Sequence, residues 1–251
     1  MTNKMILKRQ ISDWQLFEYE TLDSTNEEIK RIFHSVGTNK ILIISNGQTS
    51  GKGRHKRTWL SPHKSGLYAS WLFFENFENV EILPSIVGLS CVKCLRELFN
   101  CDFFLKWPND LVINGKKLGG VLIEKYKDFI IIGIGINLIW SDKFPPNAVS
   151  LDQVICNLDL SFEVLRNNLV NKLTTMLEKY LTSFMKNTDS QILDEVCTYL
   201  STPPGTLVSF IKNEGIFTGI VIGLSHKGEL VVELENKNQV FLRNEEVSIQ
   251  P

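Results

Sequence analysis

Long apolar runs, a leader-like N-terminus and a large excess of charge of one sign are all missing from this chain. No apolar stretch approaches the ~20 residues that a helix needs to span a bilayer. Lys8, Arg9 and Gln10 interrupt the first apolar residues, so there is no secretory hydrophobic region. The formal net charge is -1, whereas nucleic-acid-binding proteins are usually strongly basic. These absences predict a cytoplasmic protein that binds neither membranes nor nucleic acid.

Cysteine is also scarce. The five cysteines are scattered and odd in number, which favours reduced thiols over disulfides. Cys91 and Cys94 form a C-x-x-C pattern, but they recur at helical spacing with apolar neighbours. No second Cys or His pair follows at the spacing of a zinc site. We expect both thiols to pack in a helix core.

Hydrophobic periodicity and turn signals predict the secondary structure. Ser24 and Glu27 form a capping box that predicts the start of a helix, and Asn114-Gly115 is a strong hairpin signal. Strands are predicted over 41–44, 67–74, 103–106, 111–113, 117–126 and 129–136, and helices after residue 24, over 81–100, over about 165–180 and on to about residue 200.

The pattern predicts an α+β fold in two domains. Thr202-Pro-Pro-Gly205 reads as a turn or linker. Residues 1–200 are expected to form a mostly antiparallel or mixed sheet with helices on one side. Residues 201–251 contain only brief β runs, the last over 247–249, and are expected to form a small SH3-like β-barrel.

The segment from Ser50 to Trp59 is a candidate anion site. It concentrates four cations in a loop that follows a buried strand, namely Lys52, Arg54, Lys56 and Arg57. Gly51 and Gly53 permit backbone conformations that other residues rarely adopt. Such a loop can close over a triphosphate, although the Walker spacing is absent. A solvated basic surface loop is the alternative interpretation.

Two glycine-containing strands form a candidate pocket floor. Because side chains alternate along a strand, one face of the first carries Lys117, Gly119, Val121 and Ile123. One face of the next carries Phe129, Ile131, Gly133, Gly135 and Asn137. Placed side by side, they would give an apolar floor with a lysine near one end and an asparagine at the other. That surface suits a small apolar molecule with an anionic end; bulges in an ordinary sheet are the alternative.

The segment Lys106-Trp-Pro-Asn-Asp110 combines an aromatic ring, a turn-forming proline and a carboxylate at the end of an apolar run. These residue types could seat an adenine ring and a metal ion. With the cationic loop, they indicate a site for a nucleoside triphosphate.

The motifs and their order resemble the biotin–protein ligase family. The resemblance rests on Ser24-Thr-Asn26, Gln48, Gly51-Lys-Gly-Arg54 through Trp59, Lys106-Trp-Pro-Asn-Asp110, Lys117-Leu-Gly-Gly120 and Gly133-Ile-Gly-Ile-Asn137. It covers essentially the whole chain. It implies a class II synthetase-like catalytic domain that makes biotinyl-5′-AMP from biotin and ATP and passes biotin to a lysine of a biotin carboxyl carrier protein.

The resemblance also implies site residues. Biotin would be bound by Ser24, Thr25, Asn26, Gln48, Lys52, Gly53, Arg54, Lys117, Gly119, Gly120, Ile123 and Gly133. ATP would be bound by Lys52, Arg54, Arg57, Trp59, Asn109, Lys117 and Asn137. Lys117 and Arg54 would be catalytic, and Asp110 would help to hold Mg²⁺. The family often has arginine at the position of Lys52, so the planar fork that binds phosphate in a bidentate manner is lost here.

Other functions remain open from sequence. A lipoate or octanoate ligase or transferase of related fold is one alternative, although those proteins lack the Lys-Trp-Pro-Asn-Asp motif. A biotin-sensing repressor is another, but only 23 residues precede Ser24, too few for a helix-turn-helix domain. A catalytically inactive binder of biotin or nucleotide is a third. Homodimerisation is left open.

Overall fold

The computed structural model describes residues 5–74, 77, 79–156, 158–186, 190–212 and 215–243. Its helices and strands are β1 (Met5–Ile11), β2 (Trp14–Tyr19), α1 (Thr25–Val36), β3 (Ile41–Ser45), β4 (Gly66–Phe74), α2 (Leu83–Phe99), β5 (Phe104–Lys106), β6 (Asp110–Ile113), β7 (Lys116–Tyr126), β8 (Phe129–Asn137), α3 (Leu151–Val154), α4 (Phe162–Lys186), α5 (Ser190–Thr198), β9 (Leu207–Lys212), β10 (Gly215–Leu224), β11 (Leu230–Leu234) and β12 (Gln239–Leu242). Within these ranges no helix is long and apolar enough to cross a membrane.

The chain divides into two compact units. The first comprises Met1–Phe77 and Ile113–Thr175, and the second comprises Glu78–Val112 and Met176–Pro251. These units do not coincide with the predicted boundary at residue 200, which stays a prediction.

The first unit is built on a mixed sheet with strand order β1-β2-β3-β4-β8-β7. Only β2 and β3 run parallel; the other neighbouring strands are antiparallel. This confirms the predicted α+β class and the mostly antiparallel sheet. β1 and β2 were not predicted, because the charged residues that interrupt the N-terminal apolar pattern hide its alternation.

The prediction that the helices lie on one side of this sheet is wrong. The Ser70 hydroxyl of β4 lies 2.7 Å from the Thr25 hydroxyl of α1, while the adjacent Trp71 donates a hydrogen bond to Thr174 of α4 at 3.0 Å. Consecutive strand residues point to opposite faces, so α1 and α4 cover opposite faces. The reason is visible in β3, which is buried along its whole length from Ile41 to Ser45. A strand buried on both faces needs cover on both.

The second unit contains α2, α5, a short hairpin and a four-stranded antiparallel sheet of order β12-β11-β10-β9. Cys91 and Cys94 are fully buried within α2, which confirms their packing role, and burial raises the pKa of the Cys91 thiol. The strand predicted over 247–249 lies outside the described residues.

Candidate functional site

The N-terminus of α1 carries three of the predicted residues, all buried: Ser24, Thr25 and Asn26. Ser24 is the N-cap, but its side chain makes no capping hydrogen bond. The predicted capping box with Glu27 is therefore wrong, although the helix starts where it was expected. Asp23 accepts a hydrogen bond from the Ser24 N–H at 2.7 Å instead.

Gln48 joins this helix end to the cationic loop, which is defined here as residues 50–59. Its Oε1 accepts from the Thr25 N–H at 2.9 Å and from the Thr25 hydroxyl at 3.2 Å. Its Nε2 donates to the Ser61 hydroxyl at 2.8 Å. Gln48 therefore lies where the motif order predicted, in contact with the first polar motif.

Asn26 reaches across to the sheet. Its Nδ2 donates to Glu124 Oε2 at 2.6 Å, and its Oδ1 accepts from the Ser70 hydroxyl at 2.5 Å. A Cβ at Gly133 would lie 2.7 Å from Asn26 Oδ1. The space left by Gly133 is thus used by the Asn26 amide, and any larger residue there would displace it.

The strand register corrects the predicted floor. Gly120 pairs with Gly135 and Leu122 pairs with Gly133, so these four share one face. Glu124 follows on that same face, opposite Ile131.

Gly119, Val121 and Ile123 pair with Ile136, Ile134 and Ile132 on the opposite face. Their predicted placement on the floor is wrong, because alternation alone does not fix which face of one strand meets which face of the next. Lys117 was predicted on the same face, but its ammonium reaches the Trp59 ring at the floor. Any ligand contact by Gly119 or Ile123 on the floor side would have to come from the main chain.

Trp59 and Lys117 come together at the other end of the floor, and Asn137 is connected to Lys117 through Val149. The Trp59 ring lies over Gly135, where a Cβ would come within 2.6 Å of it. The Lys117 ammonium lies 5.4 Å from the centre of that ring. Val149 connects Asn137 to Lys117. Its carbonyl accepts a hydrogen bond from Asn137 Nδ2 at 3.0 Å, and its N–H donates to the Lys117 carbonyl at 2.9 Å.

Trp59 also carries an unsatisfied donor. Its Nε1 is buried and has no hydrogen-bond partner among the described residues. A buried donor without a partner costs roughly 1–3 kcal/mol, so a ligand oxygen that reached it would gain this energy. This side chain offers both an aromatic face and a hydrogen-bond donor to the site.

The cationic loop folds back on itself between Gln48 and Ser61, which pair as an isolated antiparallel bridge. The left-handed conformations expected of Gly51 and Gly53 occur instead at His55 and Lys56, with φ of 53° and 60°. Gly51 is required for a different reason: a Cβ there would lie 2.4 Å from the Trp59 carbonyl oxygen.

An ion pair ties the loop to α1. Lys52 Nζ lies 2.6 Å from Glu27 Oε1, and Lys30 Nζ lies 2.9 Å from the same oxygen. The hydrogen bond from Lys52 lowers the pKa of Glu27 against the effect of partial burial, and Lys30 lowers it further. For Lys30, burial acts to lower the pKa, but Glu27 and Glu124 raise it in sum. Lys52 and Arg57 are exposed and Arg54 is half-buried.

The Lys-Trp-Pro-Asn-Asp segment forms a hairpin turn in the second unit. Lys106 and Asp110 pair across β5 and β6, with a cis bond between Trp107 and Pro108. The Trp107 indole is buried and donates to the Gly228 carbonyl at 3.0 Å. This burial argues against the expectation that the Trp107 ring seats adenine, because little of the ring is accessible to a ligand.

Asn109 and Asp110 are half-buried beside Trp107. The described parts of the chain contain no cluster of three or more His, Cys, Asp and Glu that could hold a metal ion. Asp110 can thus contribute a single carboxylate ligand from its own side chain.

Sequence reasoning missed three residues of the polar network: Ser70, Glu124 and Ser61. Ser70 lies in an apolar run and pairs with Gly133 across β4 and β8. A lone serine among strand hydrophobics was the available signal. The sequence contains no comparable signal for Glu124, because a charged residue near the end of a strand is usually interpreted as solvent-exposed.

Several known proteins are similar to this chain in sequence and in structure. The model of the biotin/lipoate A/B protein ligase family matches residues 18–137. The biotin protein ligase from Aquifex aeolicus, solved in complex with biotin and ATP, superimposes with a TM-score of 0.79 and 30% identity, covering 94% of this chain and 98% of that one. The bifunctional ligase/repressor BirA of Bacillus subtilis is 26% identical over 241 residues, 90% of this chain and 72% of that protein.

A third relative is the biotin–[acetyl-CoA-carboxylase] ligase of Mycobacterium tuberculosis, 28% identical over 183 residues, which make up 66% of this chain and 64% of that protein. The Aquifex aeolicus match extends over nearly the full length of both chains, and the family model spans the helix end, the cationic loop and the glycine-containing floor. This chain belongs to the biotin/lipoate A/B protein ligase family.

Proposed function

We propose that this biotin–protein ligase binds both of its small substrates on the floor formed by β7 and β8. The ring of biotin would lie at the polar end, beside Thr25, Asn26 and Gln48. The phosphates of ATP would lie at the cationic end, beside Lys117 and the loop. The enzyme would join the biotin carboxylate to the α-phosphate and then transfer biotin to a lysine of a biotin carboxyl carrier protein.

The spacing of the two ends is the observation that carries this proposal. Asn26 lies over Gly133 and Trp59 lies over Gly135, two residues apart on one strand and so about 7 Å apart. The acid chain of biotin separates its ring from its carboxylate by a similar length. A ring held by the polar residues would therefore present its carboxylate near Lys117.

The chemistry needs no protein nucleophile. A carboxylate oxygen of biotin attacks the α-phosphorus, the bond to the β,γ-phosphates breaks, and pyrophosphate leaves with its electron pair. The acceptor lysine, as a neutral amine, then attacks the carbonyl carbon; AMP leaves, and an amide forms with loss of one proton. The protein contributes position and neutralisation of negative charge, which we assign to Lys117 and Arg54.

Most of the remaining members of the predicted set line the two ends. At the polar end we retain Ser24, whose hydroxyl is not used as a cap, with the main chain of Gly53, Ile123 and Gly133. At the cationic end we retain Arg57 for the phosphates, Trp59 and Asn137 for the adenine, and the main chain of Gly119 and Gly120, which lies beside Gly135. Lys52, which pairs with Glu27 of α1, and Asn109 of the second unit are retained as predicted ATP ligands without a place at either end.

The predicted site supplies only part of the ligand set that a magnesium ion needs. Mg²⁺ usually keeps several waters and takes one or two carboxylates together with substrate phosphates. Asp110 supplies one carboxylate on a turn, so it would hold a magnesium ion that arrives with ATP. The ion would supply neutralisation of phosphate charge.

Several expectations remain predictions: a cytoplasmic location, closure of the C-terminal sheet into an SH3-like barrel, and homodimerisation. The absence of nucleic-acid binding belongs with them. None of these alters the chemistry assigned to β7 and β8.

Exchange of labelled pyrophosphate into ATP tests the proposed function. We expect exchange that depends on biotin and on Mg²⁺ and that lipoate or octanoate does not support. Absence of exchange with biotin, or equal exchange with lipoate, would contradict the proposal.

A further inference from the structure

A continuous chain of hydrogen bonds runs beneath the polar end of the floor. It begins at Glu124, which accepts from Asn26 at 2.6 Å. The Ser70 hydroxyl lies 2.5 Å from Asn26 Oδ1 and 2.7 Å from Thr25 Oγ1. The chain ends at Gln48 Oε1, which lies 3.2 Å from Thr25 Oγ1 and accepts from the Thr25 N–H at 2.9 Å. Asn26, Ser70 and Thr25 are all buried, and buried polar networks are costly when any member lacks a partner.

Glu124 determines the direction of this chain. An ionised carboxylate can only accept hydrogen bonds, so the Asn26 amide must turn its NH₂ group towards Glu124. Its carbonyl oxygen must then face Ser70 and Gly133. Were the amide reversed, its oxygen would meet the carboxylate and its NH₂ would meet Gly133.

The position of Glu124 is supported by two independent observations. The register places it on the floor face of β7, opposite Ile131, and its Oε2 contacts an α1 side chain that lies over the same floor. Lys30 Nζ lies 3.3 Å from the other carboxylate oxygen. The carboxylate is therefore held from both sides, by Asn26 and by Lys30.

The fixed direction decides what the chain offers to a ligand. The single hydroxyl hydrogen of Ser70 is directed towards Asn26 Oδ1, and that of Thr25 stays within the chain, between Ser70 and Gln48. What remains towards the floor is a set of oxygen lone pairs. Lone pairs suit a ring that carries N–H donors, as the ureido ring of biotin does, and would be left unsatisfied by a ring that has none.

We propose that Glu124 is a positioning residue that holds the Asn26 amide in one orientation and thereby makes the polar end select a ring with N–H donors. This inference rests on the proposed function. Glu124 acts through Asn26 and contacts neither the carboxylate nor the phosphates of the substrates.

The test separates ring binding from chemistry. Glu124→Ala should weaken the binding of biotin alone, measured by calorimetry without ATP, at least tenfold. It should raise the KM for biotin by a similar factor and change kcat for pyrophosphate exchange less than threefold. Lys125→Ala, an exposed neighbour on the same strand, should change none of these values.

A reciprocal exchange distinguishes positioning from a merely structural role. Asn26→Asp alone would set two carboxylates against each other and should lose biotin binding. In the double variant with Glu124→Gln, the glutamine NH₂ can donate to Asp at position 26 while Ser70 still donates to its other oxygen. We expect the double variant to bind biotin at least tenfold more tightly than Asn26→Asp.

Three results would overturn the proposal: unchanged biotin affinity in Glu124→Ala, a loss of kcat without a change in KM, or no recovery in the double variant. If Glu124→Ala does not fold, the comparison of Asn26→Asp with the double variant decides. If the wild-type protein fails to exchange pyrophosphate with biotin, the proposed function fails, a result distinct from these.

Discussion

Lys117 is the residue on which the assigned chemistry depends most. Its ammonium lies against the Trp59 ring, and its main chain bonds to the 147–149 segment through both N–H and carbonyl. The backbone is thus anchored independently of the side chain, so truncation should remove the charge without loosening β7.

We predict that Lys117→Ala reduces biotin-dependent pyrophosphate exchange by about 10²–10³-fold, the range found when one preorganised charge-stabilising group is removed. The midpoint of thermal unfolding should change little. Lys116→Ala is the matched control, since Lys116 is an exposed neighbour of equal charge. Substantial exchange in Lys117→Ala, or an equal loss in Lys116→Ala, would remove Lys117 from the catalytic role.

At this scale, motif order predicted more than spacing did. It identified Thr25 and Gln48, which are hydrogen-bonded to each other, and Asn26, which meets Thr25 through Ser70. It could not identify Ser70 or Glu124, because their part in the network depends on the register of β7 and β8 and on α1 crossing that face. Register is a tertiary property that the alternation of one strand leaves open.

The cationic loop and α1 behave as linked elements. Lys52 of the loop and Lys30 of α1 share the Glu27 carboxylate, so the loop is held to the helix. In the folded chain Glu27 has a lowered pKa. Its contribution to stability is therefore present above the ordinary value of 4.5 and is lost as the pH falls through the lowered pKa.

We predict that Glu27→Gln destabilises the protein at neutral pH by no more than about 1 kcal/mol, because the pair is partly exposed. This difference from wild type should shrink as the pH falls well below 4.5. Urea unfolding of both proteins at neutral and acidic pH measures it.

The control is Glu27→Gln made in a protein that already carries Lys52→Gln. There the effect of Glu27→Gln on the free energy of unfolding should depend much less on pH. A difference that grows on acidification would show that Glu27 is not stabilised as an anion.

The loop also contains a matched pair of glycines. A Cβ at Gly51 would lie 2.4 Å from the Trp59 carbonyl oxygen, whereas one at Gly53 would lie 3.3 Å from the Arg57 carbonyl oxygen. We predict that Gly51→Ala destabilises by roughly 1–3 kcal/mol, as overpacking does, and lowers exchange activity. Gly53→Ala should retain most of both. Similar urea midpoints for the two variants would contradict this account of the loop.

Helices and strands could be predicted from the sequence where apolar residues recur with a regular spacing. α2 and the Asn114-Gly115 hairpin were predicted from sequence; the helix spans Leu83–Phe99, and both turn residues have positive φ. The N-terminal strands β1 and β2 were not predicted, nor was the packing of helices α1 and α4 against opposite faces of the sheet. The uninterrupted apolar run of β3 was the signal for burial on two faces.

In the first unit as a whole, one buried ion pair links α4 to the sheet. Arg166, 2% exposed, contacts Glu18 of β2 and the Asn46 side chain. Removing one partner of a buried pair leaves an uncompensated charge. The pair of Lys64 and Glu163 joins α4 to the segment before β4, and both side chains are exposed.

We predict that Arg166→Met lowers the free energy of unfolding by about 3–5 kcal/mol, although methionine keeps much of the side-chain length. Lys64→Ala should leave it nearly unchanged, because exposed pairs contribute little. Urea denaturation of both variants checks this. Equal stability of Arg166→Met and wild type would show that α4 is held by apolar packing alone.

Transfer of biotin to a protein tests the central claim most directly. The purified chain would be incubated with biotin, Mg-ATP and a biotin carboxyl carrier domain, and the carrier would be weighed by mass spectrometry. We predict the mass increase of one biotin on a single lysine, dependent on ATP and absent with Lys117→Ala. An unmodified carrier after incubation with the wild-type chain would contradict the account.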